Sequence, residues 1–356
     1  MIVFHNFFHL VAPQGGENEF SFSEIYLSNF FTNIGSDPIN SIQYLFTFFG
    51  HYGVQLFVFV SGYGLMKVYG KKIIKFGSFI RKRLIKIYPA FTIAIILLLI
   101  YQYVIFDMEF TRRTFASVVI RYTQIANWIP GKIFTLSGPY WFYSMIIQLY
   151  LLFPLLVIIQ KRFKYGLWTV LLITYALLIG TNDYFNSIEL SWYYNFLGNL
   201  PVFIIGMLMA NSKKLFLPKS LWLISIAVFI LSQLNPVLWH LSQVAFVFMT
   251  LLPTIWLFHR LKSSLVTRFL LITGHLSMYI FAIHGFLRTP WIGLSDTASS
   301  KIYMYLYCAI FLVIVYVVAY IVRVIEHLFM HRGFDIGLDL ESLRDIEYGP
   351  LAGSDN

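Results

Sequence analysis

Ten lysines and arginines fall within residues 67–113, eight of them before Pro89, in a chain whose other long stretches are nearly free of charge. A water-soluble fold has no use for such a pattern, because the long apolar windows would offer solvent no polar face. A many-span membrane bundle with a basic loop on one side explains it. The chain is 58% hydrophobic and only 12% charged, against about 25% charged residues in ordinary soluble domains. The expected fold class is therefore all-α: a polytopic integral membrane helical bundle of about ten transmembrane helices, the first of them incomplete.

The net charge of +10 would suit nucleic acid only if the cations shared a solvated face. Here they sit in short segments between apolar helices, so membrane lipid is the expected partner and nucleic acid is not. Cys308 is the one cysteine, which rules out an intramolecular disulfide. Residues 1–12 carry no basic residue before their apolar run and no small-residue cleavage pattern, so they read as helix and not as a cleaved signal.

Apolar windows predict spans at 44–66, 88–106, 139–160, 166–180, 196–210, 220–234, 237–258, 269–287 and 302–325. The intervals 196–210 and 220–234 are short for a crossing. Residues 1–12 cover only about 18 Å at helical rise, which implies a re-entrant helix or a start placed downstream of the true one. Residues 1–332 are expected to form one transmembrane domain and residues 333–356 a polar cytoplasmic tail. With ten crossings and the N-terminus inside, Lys and Arg divide twenty inside to six outside. That split predicts that both termini lie in the cytoplasm, and the plasma membrane is the expected location. The segment 13–40 then lies outside and holds Glu17, Glu19, Glu24 and Asp37 with no cation.

Polar side chains within spans are costly and invite a functional reading. His5 and His9, four residues apart, share one helix face. Imidazole titrates nearest neutrality, which suits His5 to act as a general base on a hydroxyl. A packing histidine is the bland alternative, and a metal ligand a weaker one, because no second cluster of His, Cys and carboxylate has ligand spacing. No metal is expected. His51, His240 and His284 fall at the outer ends of their spans. An interfacial histidine bonded to water is the plainer reading of His240. Gln148 reads as interhelical glue, and Trp141 and Tyr150 as interface and packing. Arg83 and Lys86, three apart on a helix surface, are suited to clamp phosphates jointly, although most of the neighbouring cations need only set orientation.

Several strings together resemble the membrane-bound acyltransferase family 3, whose members O-acylate cell-surface polysaccharides. They are Ile2-Val3-Phe4-His5, then Gly53-Val54-Gln55-Leu56-Phe57-Val58-Phe59-Val60-Ser61-Gly62-Tyr63, and Arg83-Leu84-Ile85-Lys86-Ile87-Tyr88-Pro89. Pro139-Tyr140-Trp141-Phe142, Gln148-Leu149-Tyr150-Leu151-Leu152-Phe153-Pro154 and Gly274-His275-Leu276-Ser277-Met278-Tyr279-Ile280-Phe281-Ala282-Ile283-His284 follow in the family's order.

The resemblance implies a ten-helix bundle that moves an acyl group, usually acetyl, from coenzyme A on the cytoplasmic side to a hydroxyl of an extracytoplasmic carbohydrate. The family's first helix has an arginine eleven positions before a histidine. The histidine corresponds to His5, and the arginine's place would precede Met1. The family's Arg-x-x-Arg corresponds to Arg83-x-x-Lys86, which keeps the charge but loses the second planar fork. On this reading His5 is the base, and Glu17 or Glu19 orients an imidazole or binds sugar hydroxyls. Arg83 and Lys86 hold the coenzyme phosphates of acyl-CoA, presumed acetyl-CoA. Ser61 and Gly62 form a close-packing break beside the donor's thin arm, and His51 and His284 are secondary candidates. A lipid-linked sugar transporter or flippase, or a glycan polymerase, would share the bundle and the basic loops. Consumption of acyl-CoA separates them from an acyltransferase.

Overall fold

Every regular element among the described residues is helical. The computed structural model describes residues 1–14, 20–210, 217–261 and 265–330, the side chain of residue 259 excepted. The expected tail and Lys213 lie outside these residues.

Helix α1 (Ile2–Phe8) is followed by α2 (Glu24–Ser36), which lies in the acidic stretch and buries none of its side chains. Next come α3 (Ser41–Phe49), α4 (Gly53–Tyr69), α5 (Phe76–Phe106), α6 (Arg112–Tyr122), α7 (Trp141–Arg162) and α8 (Gly166–Ser187). The remainder are α9 (Phe196–Met209), α10 (Lys219–Ser232), α11 (Pro236–Trp239), α12 (Ser242–Arg260), α13 (Leu265–Leu287), α14 (Thr289–Asp296) and α15 (Lys301–Met330). Six long apolar stretches and three shorter apolar helices fall on the nine intervals that hydropathy marks. Large apolar side chains such as Ile96, Leu155, Leu172 and Val313 stay exposed on the outer faces of α5, α7, α8 and α15. A chain in water would bury such faces; in lipid they match their solvent. The protein is an all-α helical membrane bundle.

Three expectations change. The interval 44–66 is not one helix: α3 and α4 are separated by a single 3-10 turn at Gly50–Tyr52. The basic stretch before Pro89 is helical from Phe76, with Pro89 inside α5. At about 1.5 Å per residue this helix of 31 residues reaches about 46 Å, beyond a hydrocarbon core of about 30 Å. Its first turns therefore project, and Arg81, Lys82 and Lys86 are exposed there. The third change concerns α9, whose 14 residues span only about 21 Å. Every side chain from Leu197 to Met207 is buried, so α9 is wrapped by protein and has no need to match the bilayer.

Two glycines allow this wrapping. A Cβ on Gly62 would sit 2.2 Å from the Phe203 carbonyl oxygen, and one on Gly206 would sit 2.3 Å from the Phe59 carbonyl oxygen. Helices α4 and α9 thus meet backbone to backbone, as small residues permit in membranes. Side-chain amides join the same core: Gln55 Nε2 donates to Asn199 Oδ1 at 3.0 Å, and Gln148 Nε2 to Asn195 Oδ1 at 3.3 Å. Gln148 also accepts from the Phe196 N–H at 3.0 Å, which makes it a link between helices.

Helix α4 sets the vertical scale. It starts beside His51 and ends beyond Lys67, so its 17 residues put about 26 Å between a histidine end and a basic end. Lys161 at the C-terminal end of α7 donates to the Lys72 carbonyl at 2.9 Å. Two cation clusters therefore share the basic end.

Candidate active site

Helix α1 lies against the turn that interrupts the second apolar span. The turn needs Gly50, because a Cβ there would fall 2.4 Å from His5 Cβ. His5 is 2% exposed, and its Nδ1 donates to the Phe46 carbonyl at 3.0 Å. That carbonyl also accepts the Gly50 N–H at the end of α3. A carbonyl can only accept, so Nδ1 carries the ring proton of neutral His5 and Nε2 is its basic nitrogen. His9 repeats the device one turn on, with Nδ1 donating to the His5 carbonyl at 2.6 Å. The two rings stack with centroids 4.5 Å apart and planes 2° apart, and His51 stands 5.5 Å from His5. Gln43 Nε2 donates to the Val11 carbonyl at 2.8 Å and ties down the residues that follow α1.

These three imidazoles line two cavities at once. One is a cleft whose other walls include Asn29, Asn33, Tyr44 and Trp239, a surface rich in amides and hydroxyls beside aromatic faces. The other is a chamber of about 440 Å³ bounded by Trp141, Tyr194, Phe281 and Arg288. A third cavity of about 150 Å³, mostly apolar, continues toward the basic end past Ser61 and Tyr150. It shares Phe281 with the chamber.

Arg288, which precedes α14, turns its Nη1 to the Asn6 carbonyl at 2.8 Å and to Asn6 Oδ1 at 2.7 Å. It ties a cation of the chamber to the residue beside His5. Arg121 of α6 is fully buried and binds the strap 123–137. It donates to Asn127 Oδ1 at 3.1 Å, to Ser144 Oγ at 3.3 Å and to the carbonyls of Lys132, Ile133 and Thr135. Burial pushes its guanidinium down to about 10. Asn127 in turn donates to the carbonyls of Trp141 and Tyr194 at 2.8 and 2.6 Å. The buried arginine thus holds two walls of the chamber through one amide.

The residues expected to carry chemistry are distributed as follows. His5 and His51 come together, joined by His9. His284 is buried on α13, with Nδ1 donating to the carbonyls of Ile280 and Phe281 at 3.0 Å each, and it lines none of the three cavities. Glu17 and Glu19 lie outside the described residues. Ser61 lines the third cavity, whereas the open side of Gly62 is filled by the Phe203 backbone. Gly62 therefore serves the α4–α9 contact, not a donor passage. Arg83 and Lys86 do not form one fork. Arg83 is half-buried, its guanidinium 5.6 Å from the Phe79 ring and 5.8 Å from that of Tyr69, while Lys86 is exposed.

His240 is buried against Tyr193, whose hydroxyl meets its Nδ1, and burial lowers its imidazole below the ordinary value. It packs inside the protein and is not an interfacial group. Trp141, read as interface and packing, is a chamber wall. Tyr194 and Phe281 escaped sequence reasoning, because in a chain with 36 Phe and 24 Tyr no single aromatic stands out as a cavity wall, and Arg288 escaped because it counted only as an outer cation. Among the described residues no three His, Cys, Asp or Glu side chains gather to hold a metal ion.

A family model described as an acyltransferase domain matches residues 1–323. No curated protein and no solved structure gives a match.

Proposed function

The chain belongs to acyltransferase family 3 and is a membrane acyltransferase, and we propose that it carries an acyl group, most simply acetyl, from cytoplasmic acyl-coenzyme A to a hydroxyl of an extracytoplasmic carbohydrate. One observation carries this reading: His5, His9 and His51 form a wall common to an amide-rich, aromatic cleft and a chamber that meets, at Phe281, the cavity running past Ser61 toward the basic end. An acceptor sugar suits the first, with its amides and stacking faces, and a thioester suits the second.

In the proposed reaction, His5 Nε2 takes the proton from the acceptor hydroxyl, whose oxygen bonds to the thioester carbonyl carbon. The negative charge that develops on the carbonyl oxygen is stabilised by the field of Arg288. When the C–S bond breaks, the leaving thiolate receives the proton held by His5. The products are the ester and free coenzyme A, with His5 neutral again. Arg83, Lys86 and the cations around them attract the coenzyme phosphates at the basic end, and Ser61 lies beside the donor's arm. Glu17 and Glu19 are assigned to orienting an imidazole or the acceptor. This assignment requires the basic end to face the cytoplasm of a plasma-membrane protein; Met1 lies against Gly53 at the histidine end, so the expectation that the N-terminus shares the cytoplasmic side does not hold.

The test supplies radiolabelled acetyl-coenzyme A to membranes containing the protein and its acceptor polysaccharide. The expected product is a base-labile ester, and its rate should fall about 10²–10⁴-fold for His5→Ala. Parental rates in that variant would overturn the assignment of the base. No consumption of acyl-coenzyme A by the parent would overturn the donor.

A further inference from the structure

The chamber at His5 and the apolar cavity toward the basic end share one lining residue, Phe281. Its ring sits 4.7 Å from that of Phe142 and 5.9 Å from that of Tyr143, both walls of the apolar cavity, and it is 8% exposed. On the chamber side stand Trp141 and Arg288. A slender thioester arm moving from Ser61 toward His5 must pass this ring. We infer that Phe281 is the partition between donor cavity and histidine chamber, and that it keeps water of the chamber away from the thioester until the acyl carbon has entered. The inference rests on the donor route proposed above and adds to it a residue that governs how transfer competes with hydrolysis.

The competing reaction fixes what the partition must prevent. In hydrolysis, water takes the place of the acceptor: its oxygen bonds to the acyl carbon, the C–S bond breaks, and the products are a carboxylate, free coenzyme A thiol and one proton. His5 would assist water as readily as it assists a sugar hydroxyl, since both present an O–H to the same nitrogen. Chemistry alone therefore does not protect the donor. Exclusion of water by an apolar wall does, and at this junction the wall is the Phe281 ring. Truncating it joins a chamber of about 440 Å³, whose walls carry three imidazoles and the Arg288 guanidinium, to a more apolar cavity of about 150 Å³.

Coenzyme A thiol released from acetyl-coenzyme A, with and without acceptor, tests the partition in membranes holding the full chain. Phe281→Ala should raise the ratio of hydrolysis to transfer by about tenfold. Phe281→Leu should raise it less, and Phe281→Trp should slow both reactions without changing the ratio. The added hydrolysis should vanish in Phe281→Ala combined with His5→Ala. A merely structural role would lower both rates together, so an unchanged ratio in the Ala and Leu variants overturns the partition. If Phe281→Ala does not accumulate in the membrane, the ratio in Phe281→Leu decides alone. A parent that releases no thiol even with acceptor overturns the donor route instead.

Discussion

The two ends of the bundle hold their polar groups in opposite ways. At the histidine end His5 and His9 are buried, each with its Nδ1 fixed on a backbone carbonyl, and Gly50 admits His5 at a distance no other residue would allow. At the basic end the cations of α4, α5 and the turn between them either rest on aromatic faces or stand exposed. Lys67 lies 5.4 Å from the Tyr63 ring, Lys72 lies 5.8 Å from that of Tyr69, and Lys86 is exposed. The contrast follows from what each end must do. A base acts only within hydrogen-bond reach of one proton, and an error near 1 Å costs about 10²-fold in rate. A phosphate is drawn by summed field, which tolerates loose placement.

The sharpest way to break this comparison is to move His5 without touching its ring. Gly50→Ala places a methyl against His5 Cβ and should reduce acyl transfer by roughly 10²-fold. Gly64→Ala, on α4 with nothing within 4 Å of the added carbon, should leave the rate within about twofold. Equal losses in the two would show that the histidine end has no special need of its geometry.

A smaller effect is expected at the basic end. Arg83→Ala should raise the donor KM by about tenfold, and Lys86→Ala by about threefold. Both effects should shrink as salt is added, with kcat little changed. A fall in kcat for either would mean that this end, too, positions the reacting atoms.

The smallest effect concerns pH. Burial holds the folded-state value of His240 below its ordinary 6.5, so the unfolded chain binds the proton more readily. The contribution of His240 to stability is present above 6.5 and is lost as pH falls through the lowered folded value. Thermal unfolding of detergent-solubilised protein should occur at lower temperature as the pH falls below 6.5, and His240→Phe should flatten that slope.

The bundle was legible in the sequence because membrane spans declare themselves by composition and length, which no packing detail can override. The break at Gly50–Tyr52 was not, since only His51 and Gln55 interrupt an otherwise apolar and glycine-containing stretch from Phe48 to Phe59, too little polarity to end a span. Gly50 in the break and Gly53 just after it acquire meaning only once α1 is known to lie against them. His5 could be singled out because a titratable group in an apolar run is costly. Arg121 could not, because charge counting registers a cation without its surroundings, and this one belongs to the interior. Phe281 lies in the string 274–284 that carries the resemblance, but nothing there set it apart: being the residue common to two cavities is a property of several helices together.

The complete enclosure of α9 constrains how the protein is made. Left alone in lipid, a segment of about 21 Å with the amides of Asn195 and Asn199 would leave donors and acceptors facing hydrocarbon at a cost of several kcal/mol. Those amides find Gln55 on α4 and Gln148 on α7. Insertion during synthesis must therefore delay the lateral release of α9 from the translocation machinery until its earlier-made neighbours are there to receive it.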